Sequence, residues 1–253
     1  LIKEDMDRDY AYQMLIRACV ELVSREAPKW EFIAARFLSW QIDQSVDARM
    51  EQLDIHCFFD KLRYLTNEGL YGAYILEHYT RAQIEELEAY LDPSRDQLFT
   101  YSGLDLLAQR YLIRDHAHHL LEKTQEMFMG IAMHLSMEET QKVRRAKELY
   151  DVLSTLKVTM ATPTMSNARK PFHQMSSCFI DTVPDSLSGI YRSIDSFARV
   201  SKFGGGMGLY FGKVRASGSD IRGYKGAAGG VIRWIRLVND TAVAVDQLGV
   251  RSG

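Results

Sequence analysis

Three cysteines are all that 253 residues contain, at Cys19, Cys57 and Cys178, with no Cys-x-x-Cys pair among them. Their scarcity and spacing argue against a disulfide framework and a cysteine-based zinc site, and they fit a reducing, cytoplasmic setting. Neither sign of charge prevails, with 31 Lys plus Arg against 33 Asp plus Glu, so the chain lacks the basic excess that grips nucleic acid regardless of sequence. Any phosphate it takes is bound locally. Charged residues interrupt every apolar stretch short of a bilayer-spanning length, and no basic segment leads into an apolar run at the N-terminus, so no membrane partner is expected. A repeat of fixed period and a low-complexity tract are also missing. What is there is a chain 46% apolar, enough for a sizeable core in one large or two smaller globular units. It opens as Leu1-Ile2-Lys3 and closes on Gly249-Val250-Arg251-Ser252-Gly253, and so reads as a segment of something longer.

The first 157 residues read as successive helices. Ala11, Met14, Leu15, Ala18, Cys19, Leu22 and Val23 share one helical face, which makes Cys19 a core residue. Pro28 breaks that helix, and Trp30, Ile33, Ala34, Phe37 and Leu38 rebuild the period. Thr80 with Gln83, and Ser136 with Glu139, have capping-box spacing. The second box is expected to open a long helix through Val143, Ala146, Leu149, Val152, Leu153 and Leu156. From Val158 the texture changes. The β-prone pieces "VTMA", "SCFI" and "GLYFGKV" alternate with helical patterns at 186–202 and 231–245, the rhythm of an α/β unit.

Several stretches invite a chemical reading. Asp115 to His119, "DHAHH", clusters imidazoles with a carboxylate, but without a metal-motif spacing it reads as a polar connection. Met127, Met129, Met133 and Met137 read as adaptable core filling. "KFGGGMG" at 202–208 lets backbone approach a ligand, or merely caps a helix, and it fits neither a Walker loop nor a dinucleotide fingerprint. Asp185 precedes a helical pattern, so it is either an N-cap or an acceptor for ribose hydroxyls beside a helix start. Arg215 and Arg222 flank "ASGSDI" in a loop, where guanidinium forks suit phosphate oxygens and solvated arginines are the plain alternative. Cys178 follows Ser176 and Ser177, and a buried structural cysteine is the ordinary reading. The loop "TPTMSN" from Thr162 could bring a second hydroxyl-bearing segment to the same ligand.

Taken together and in order, "ATPTMSN", "SSCFI", "KFGGGMGLYFGKVRASGS" and "NDTAVAVDQLGVRSG" resemble the large, α subunit of class I ribonucleotide reductase. The likeness covers the chain from about Tyr10 onward and corresponds to roughly the first third of such a subunit. It implies an α/β protein with a mostly helical N-terminal domain (1–170), followed at 171–253 by the first strands and helices of a ten-stranded α/β barrel. The N-terminal ATP cone of many such subunits is absent from the match. The implied activity is radical-based reduction of ribonucleoside diphosphates to deoxyribonucleotides.

On this resemblance Cys178 is one of two reducing thiols, partnered by a cysteine from a later strand. Thr162 and Ser177 hold the substrate diphosphate, and Gly205 and Gly206 line the substrate. Asp185, Ser186, Leu187, Arg215 and Arg222 form the site for a nucleoside triphosphate effector (dNTP or ATP), and Gln247 and Arg251 belong to a second specificity loop. The resemblance places no metal and no cofactor in this chain. It assigns the radical cofactor to a small β subunit. It further implies an α homodimer, the remainder of the α subunit, and thioredoxin or glutaredoxin as reductant. The radical-bearing cysteine, its carboxylate, the second reducing cysteine, the relay tyrosines and a C-terminal cysteine pair are expected beyond Gly253. Cys19 and Cys57, in helical patterns, do not replace them. Two alternatives stand beside this reading: a nucleotide-binding fragment of a split subunit without activity of its own, and an unrelated redox domain using Cys178, which lacks the partner thiol that exchange needs.

Overall fold

A computed structural model describes residues 7–202 and 205–246 of the chain. Residue contacts divide the chain into two units, one of Leu1–Met160 with Thr164–His173, the other of Ala161–Pro163 with Gln174–Gly253.

The first unit is helical. Helix α1 (Arg8–Glu21) starts where the Asp7 carboxylate accepts the Tyr10 amide at 3.3 Å. Beyond Pro28, α2 (Trp30–Gln52) buries Ala35, Ile42, Val46 and Met50 along one stripe, the i, i+7, i+11 spacing of a core-facing helix. Helices α3 (Phe58–Asn67), α4 (Tyr74–His78), α5 (Arg81–Glu88), α6 (Tyr101–Arg110), α7 (Thr124–Ser136) and α8 (Lys142–Ser154) follow, with a 3-10 turn at Pro93–Leu98. The capping box at Thr80 and Gln83 is formed at the start of α5. Helix α7 is the centre of this unit: Met127, Met129, Ile131, Ala132 and Met133 are fully buried, each large side chain contributing about 1.5–3 kcal/mol on leaving water. Cys19 is buried, and Cys57 sits at the N-cap of α3 with its thiol 3.2 Å from the Asp60 carboxylate.

Two ion pairs run through this apolar interior. Lys61 donates to both carboxylate oxygens of Glu126 at 2.7 and 2.8 Å. Arg169, with no exposed surface, donates through Nε and Nη2 to Glu122 at 2.6 and 2.5 Å, through Nη1 to the Met165 carbonyl and through Nη2 to the Tyr111 carbonyl. A buried charge is tolerable only when its donors and acceptors are met in this way.

Some expectations are corrected here. Ser136 does not open a helix: it ends α7, buried, with its hydroxyl donating to the Ala132 carbonyl at 2.5 Å, and α8 begins only at Lys142. "VTMA" is not a strand. Leu156 adopts φ 59°, the Leu156 and Lys157 amides donate back to the Leu153 and Val152 carbonyls, which closes α8 in a Schellman motif, and the Val158 amide also turns back to the Val152 carbonyl at 3.2 Å. "TPTMSN" is a short helix, α9 (Thr162–Asn167), instead of a loop.

The second unit is a β-α-β element followed by a helix. Strands β1 (Cys178–Thr182) and β2 (Gly206–Tyr210) pair in parallel, joined through α10 (Leu187–Lys202), and α11 (Ile232–Asp246) comes after a long loop. Strand β2 thus starts within the glycine run, two residues before "GLYFGKV". Val183, Ile190 and Ile194 form the core, with Leu209, Phe211, Val214, Trp234, Leu237 and Val238 packed against it. A parallel pair needs such a crossover helix, which covers one face and leaves the other open.

Candidate functional site

The open face of the pair is defined by register. Cys178 is the Cα partner of Gly206, Ile180 of Gly208 and Thr182 of Tyr210, and because side chains alternate along a strand these positions share one face. That face is uncovered: Ile180 is 87% and Tyr210 59% exposed. The thiol of Cys178 is therefore exposed, which corrects the buried reading. A cysteine at the first residue of a strand, on the side away from the crossover helix, has no core to enter. Ser177 Oγ lies 3.4 Å from Cys178 Sγ, and the Ser177 carbonyl accepts the Gly206 amide at 2.8 Å.

The two glycines differ. A Cβ on Gly205 would stand 2.8 Å from Val200 Cγ1 and 2.9 Å from Phe179 Cε2, so packing beneath the sheet requires its absence. A Cβ on Gly206 would meet nothing nearer among the described residues than the Ser177 carbonyl oxygen at 3.5 Å. Internal packing does not ask for glycine at 206, and the space over it stands beside the thiol. Thr162 is the first residue of α9 and belongs to the same unit as Ser177 and Cys178.

At the N-terminal end of α10 lies a cleft of about 880 Å³ lined by Asp185, Ser186, Leu187, Arg215 and Arg222 together. Ile190, Val214, Trp234 and Leu237 give it an apolar wall. The N-cap reading of Asp185 is replaced by a division of labour. Ser186 accepts the Gly189 amide at 3.1 Å and so satisfies an amide of the first turn of α10. Asp185 instead reaches across to the loop, where its Oδ2 accepts Arg215 Nε at 2.8 Å and its Oδ1 the Arg215 amide at 3.3 Å. Arg215 Nη1 also donates to the Asp220 carbonyl at 3.2 Å, and Asp220 accepts the Gly226 amide.

Arg222 is held by a tight turn. Ile221 and Tyr224 exchange backbone hydrogen bonds at 3.1 and 2.9 Å around Arg222 at φ 50° and Gly223 at φ 86°, the signs of a two-residue type I′ hairpin turn. Asn or Asp is the usual first residue there, and arginine in the left-handed region costs about 1 kcal/mol or more. Gln247 and Arg251 lie outside the described residues. Sequence reasoning missed Arg233 and Trp234, which also line the cleft; Trp234 was legible only as one more apolar position in a helical pattern.

Between Asp115 and His119 the described residues form a turn, with Asp115 Oδ1 accepting the Ala117 and His119 amides at 2.9 Å. No group of three or more potential metal ligands occurs among the described residues, and no described helix is long and apolar enough to cross a membrane.

Residues 97–173 match the family described as ribonucleotide reductase, all-alpha domain, and residues 176–253 match ribonucleotide reductase, barrel domain. Ribonucleoside-diphosphate reductase subunit alpha of Treponema pallidum (strain Nichols) is 63% identical over 252 residues, covering 99% of this chain and 30% of that protein. The subunit alpha of Helicobacter pylori (strain J99) is 37% identical over 241 residues, 95% of this chain and 30% of the relative. Ribonucleoside-diphosphate reductase 1 subunit alpha of Escherichia coli (strain K12) is 28% identical over 245 residues, 96% of this chain and 32% of the relative. The chain thus spans about 30% of the length of the curated relatives it matches first.

Proposed function

The chain belongs to the ribonucleotide reductase large-subunit family, and on that premise we propose that it contributes part of the substrate site and a nucleotide effector site to a ribonucleoside-diphosphate reductase. The observation that carries this reading is the separation of two sites within one unit: an exposed thiol facing a glycine on the open sheet face, and an arginine-bearing cleft at the N-terminal end of the crossover helix.

In the proposed reaction a ribonucleoside diphosphate lies over the open face, with Thr162 and Ser177 as neutral donors to its phosphates and Gly205 and Gly206 beneath the sugar. Cys178 and a second thiol from a later strand reduce the 2′ carbon. The C2′–O bond breaks and the oxygen leaves as water. A C2′–H bond forms, and the two thiols give up two electrons and two hydrogens as their sulfurs join in a disulfide. The radical cofactor, held by a small β subunit, supplies the oxidising equivalent that starts the reaction. Thioredoxin or glutaredoxin is proposed to restore the thiols. An α homodimer in the cytoplasm is proposed as the working form, and its effector is proposed to be a dNTP or ATP in the cleft, base against the apolar wall and phosphates toward the arginines.

The test is made in the full-length subunit with its small subunit and reductant. Cys178→Ser is expected to abolish multiple-turnover deoxynucleotide formation while leaving dNTP binding unchanged. Undiminished turnover in that variant rules the assignment out.

A further inference from the structure

The charges around the cleft do not balance. Among the described residues, Arg215, Arg222 and Arg233 line it with one carboxylate, that of Asp185, and Asp185 is already bonded to Arg215 at 2.8 Å. The guanidinium groups of Arg222 and Arg233 have no hydrogen bond or ion pair among the described residues. Arg233 is exposed and is the second residue of α11, whose first turn contains no acidic residue. A cation in the first turn of a helix opposes the helix dipole, so this position is electrostatically unfavourable unless an anion comes to it. Gly229 keeps room for the side chain: a Cβ there would stand 3.3 Å from Arg233 Cζ, Nε and Nη1.

Resting on the effector-site reading above, we infer that Arg233 is a phosphate-binding residue of this cleft, working with Arg222 to take the polyphosphate of a nucleoside triphosphate. Two forks without a partner among the described residues, in a cleft whose wall carries Trp234 and Leu237, suit a ligand that combines an anionic group with a flat, apolar one. Arg233 also sets the discrimination between triphosphate and monophosphate, since its contribution grows with the charge presented to it.

Equilibrium binding of dTTP and dTMP to the full-length subunit tests this, with wild type, Arg233→Ala, Arg233→Lys and Asp185→Ala measured side by side. Arg233→Ala is expected to weaken dTTP about tenfold and dTMP less than about twofold, as loss of one charge-assisted contact implies. Arg233→Lys should recover part of the dTTP affinity. Equal loss for both ligands, or no loss for dTTP, overturns the role of Arg233 while leaving the effector site intact. Failure of wild type to bind dTTP, or unchanged binding in Asp185→Ala, overturns the effector-site reading and this inference with it.

Discussion

Gly206 and Cys178 are Cα partners across the parallel β1–β2 pair, and the position where a Gly206 side chain would begin is open on the face that carries the thiol. Its neighbour Gly205 is enclosed by Phe179 and Val200. Adjacent glycines in one run therefore differ: packing beneath the sheet requires Gly205 to lack a side chain, and makes no such demand at Gly206 among the described residues.

Substitution separates the two. Gly205→Ala should destabilise the protein by about 1–3 kcal/mol through overpacking. Gly206→Ala should change stability by no more than about 0.5 kcal/mol while raising the KM for the ribonucleoside diphosphate. Denaturant unfolding and steady-state kinetics on both variants give the comparison, and a Gly206→Ala protein with normal KM would remove Gly206 from the substrate surface.

Asp185 and Ser186, adjacent at the entrance to α10, should separate in the same manner. Ser186→Ala removes the acceptor for the Gly189 amide and should cost about 1 kcal/mol of stability. Asp185→Asn weakens the hold on Arg215 and should reduce dNTP affinity about tenfold. Chemical denaturation with and without dNTP resolves both effects.

Asp43, on α2, has its carboxyl pushed up from 3.8 to about 6 by burial, with Asp96, Asp47 and Glu126 adding to the rise and Lys123 opposing it. Because the folded value lies above the unfolded one, the protein gains from a protonated Asp43 below about pH 4 and loses that gain as pH rises through about 6. Asp43→Asn should therefore raise the Tm at pH 7.5 and leave it nearly unchanged at pH 4. An equal rise at both pH values would show that the benefit has another origin.

Arg169→Met should be strongly destabilising, by about 3–5 kcal/mol, since it leaves the Glu122 carboxylate buried without its partner. Glu122 is 2% exposed and also accepts the Ile113 amide at 3.1 Å. Urea unfolding of Arg169→Met beside the double variant Arg169→Met with Glu122→Leu isolates the charge: the double variant should recover much of the loss.

The helical half of the fold was legible because its apolar residues repeat at helical spacing over long runs, and Thr80 carried a capping signal that is local. Ser136 carried the same signal without the outcome, because its hydroxyl found the Ala132 carbonyl inside the same helix. The β-prone "VTMA" failed because strand identity depends on a pairing partner that is distant in sequence. In the cleft, Asp185, Ser186, Leu187, Arg215 and Arg222 were readable through motif resemblance, and they line one space. Which of Asp185 and Ser186 caps the helix was not readable, since both suit the position and only the location of Arg215 decides. Arg233 was hidden for a similar reason: one of two arginines in an amphipathic helix, with Arg236, looks like any solvated charge until the loop that ends in Gly229 and Gly230 is seen against it.

The three thiols also differ in accessibility. Burial raises the pKa of both Cys19 and Cys57, while Cys178 stands exposed on the open strand face. Alkylating reagents attack thiolates that they can reach, so a limiting dose should mark Cys178 ahead of the other two. The chain thus carries its own footprinting probe. Whatever settles over the Cys178–Gly206 face shields that sulfur, and the rate at which the label is incorporated becomes a direct measure of how often the face is covered.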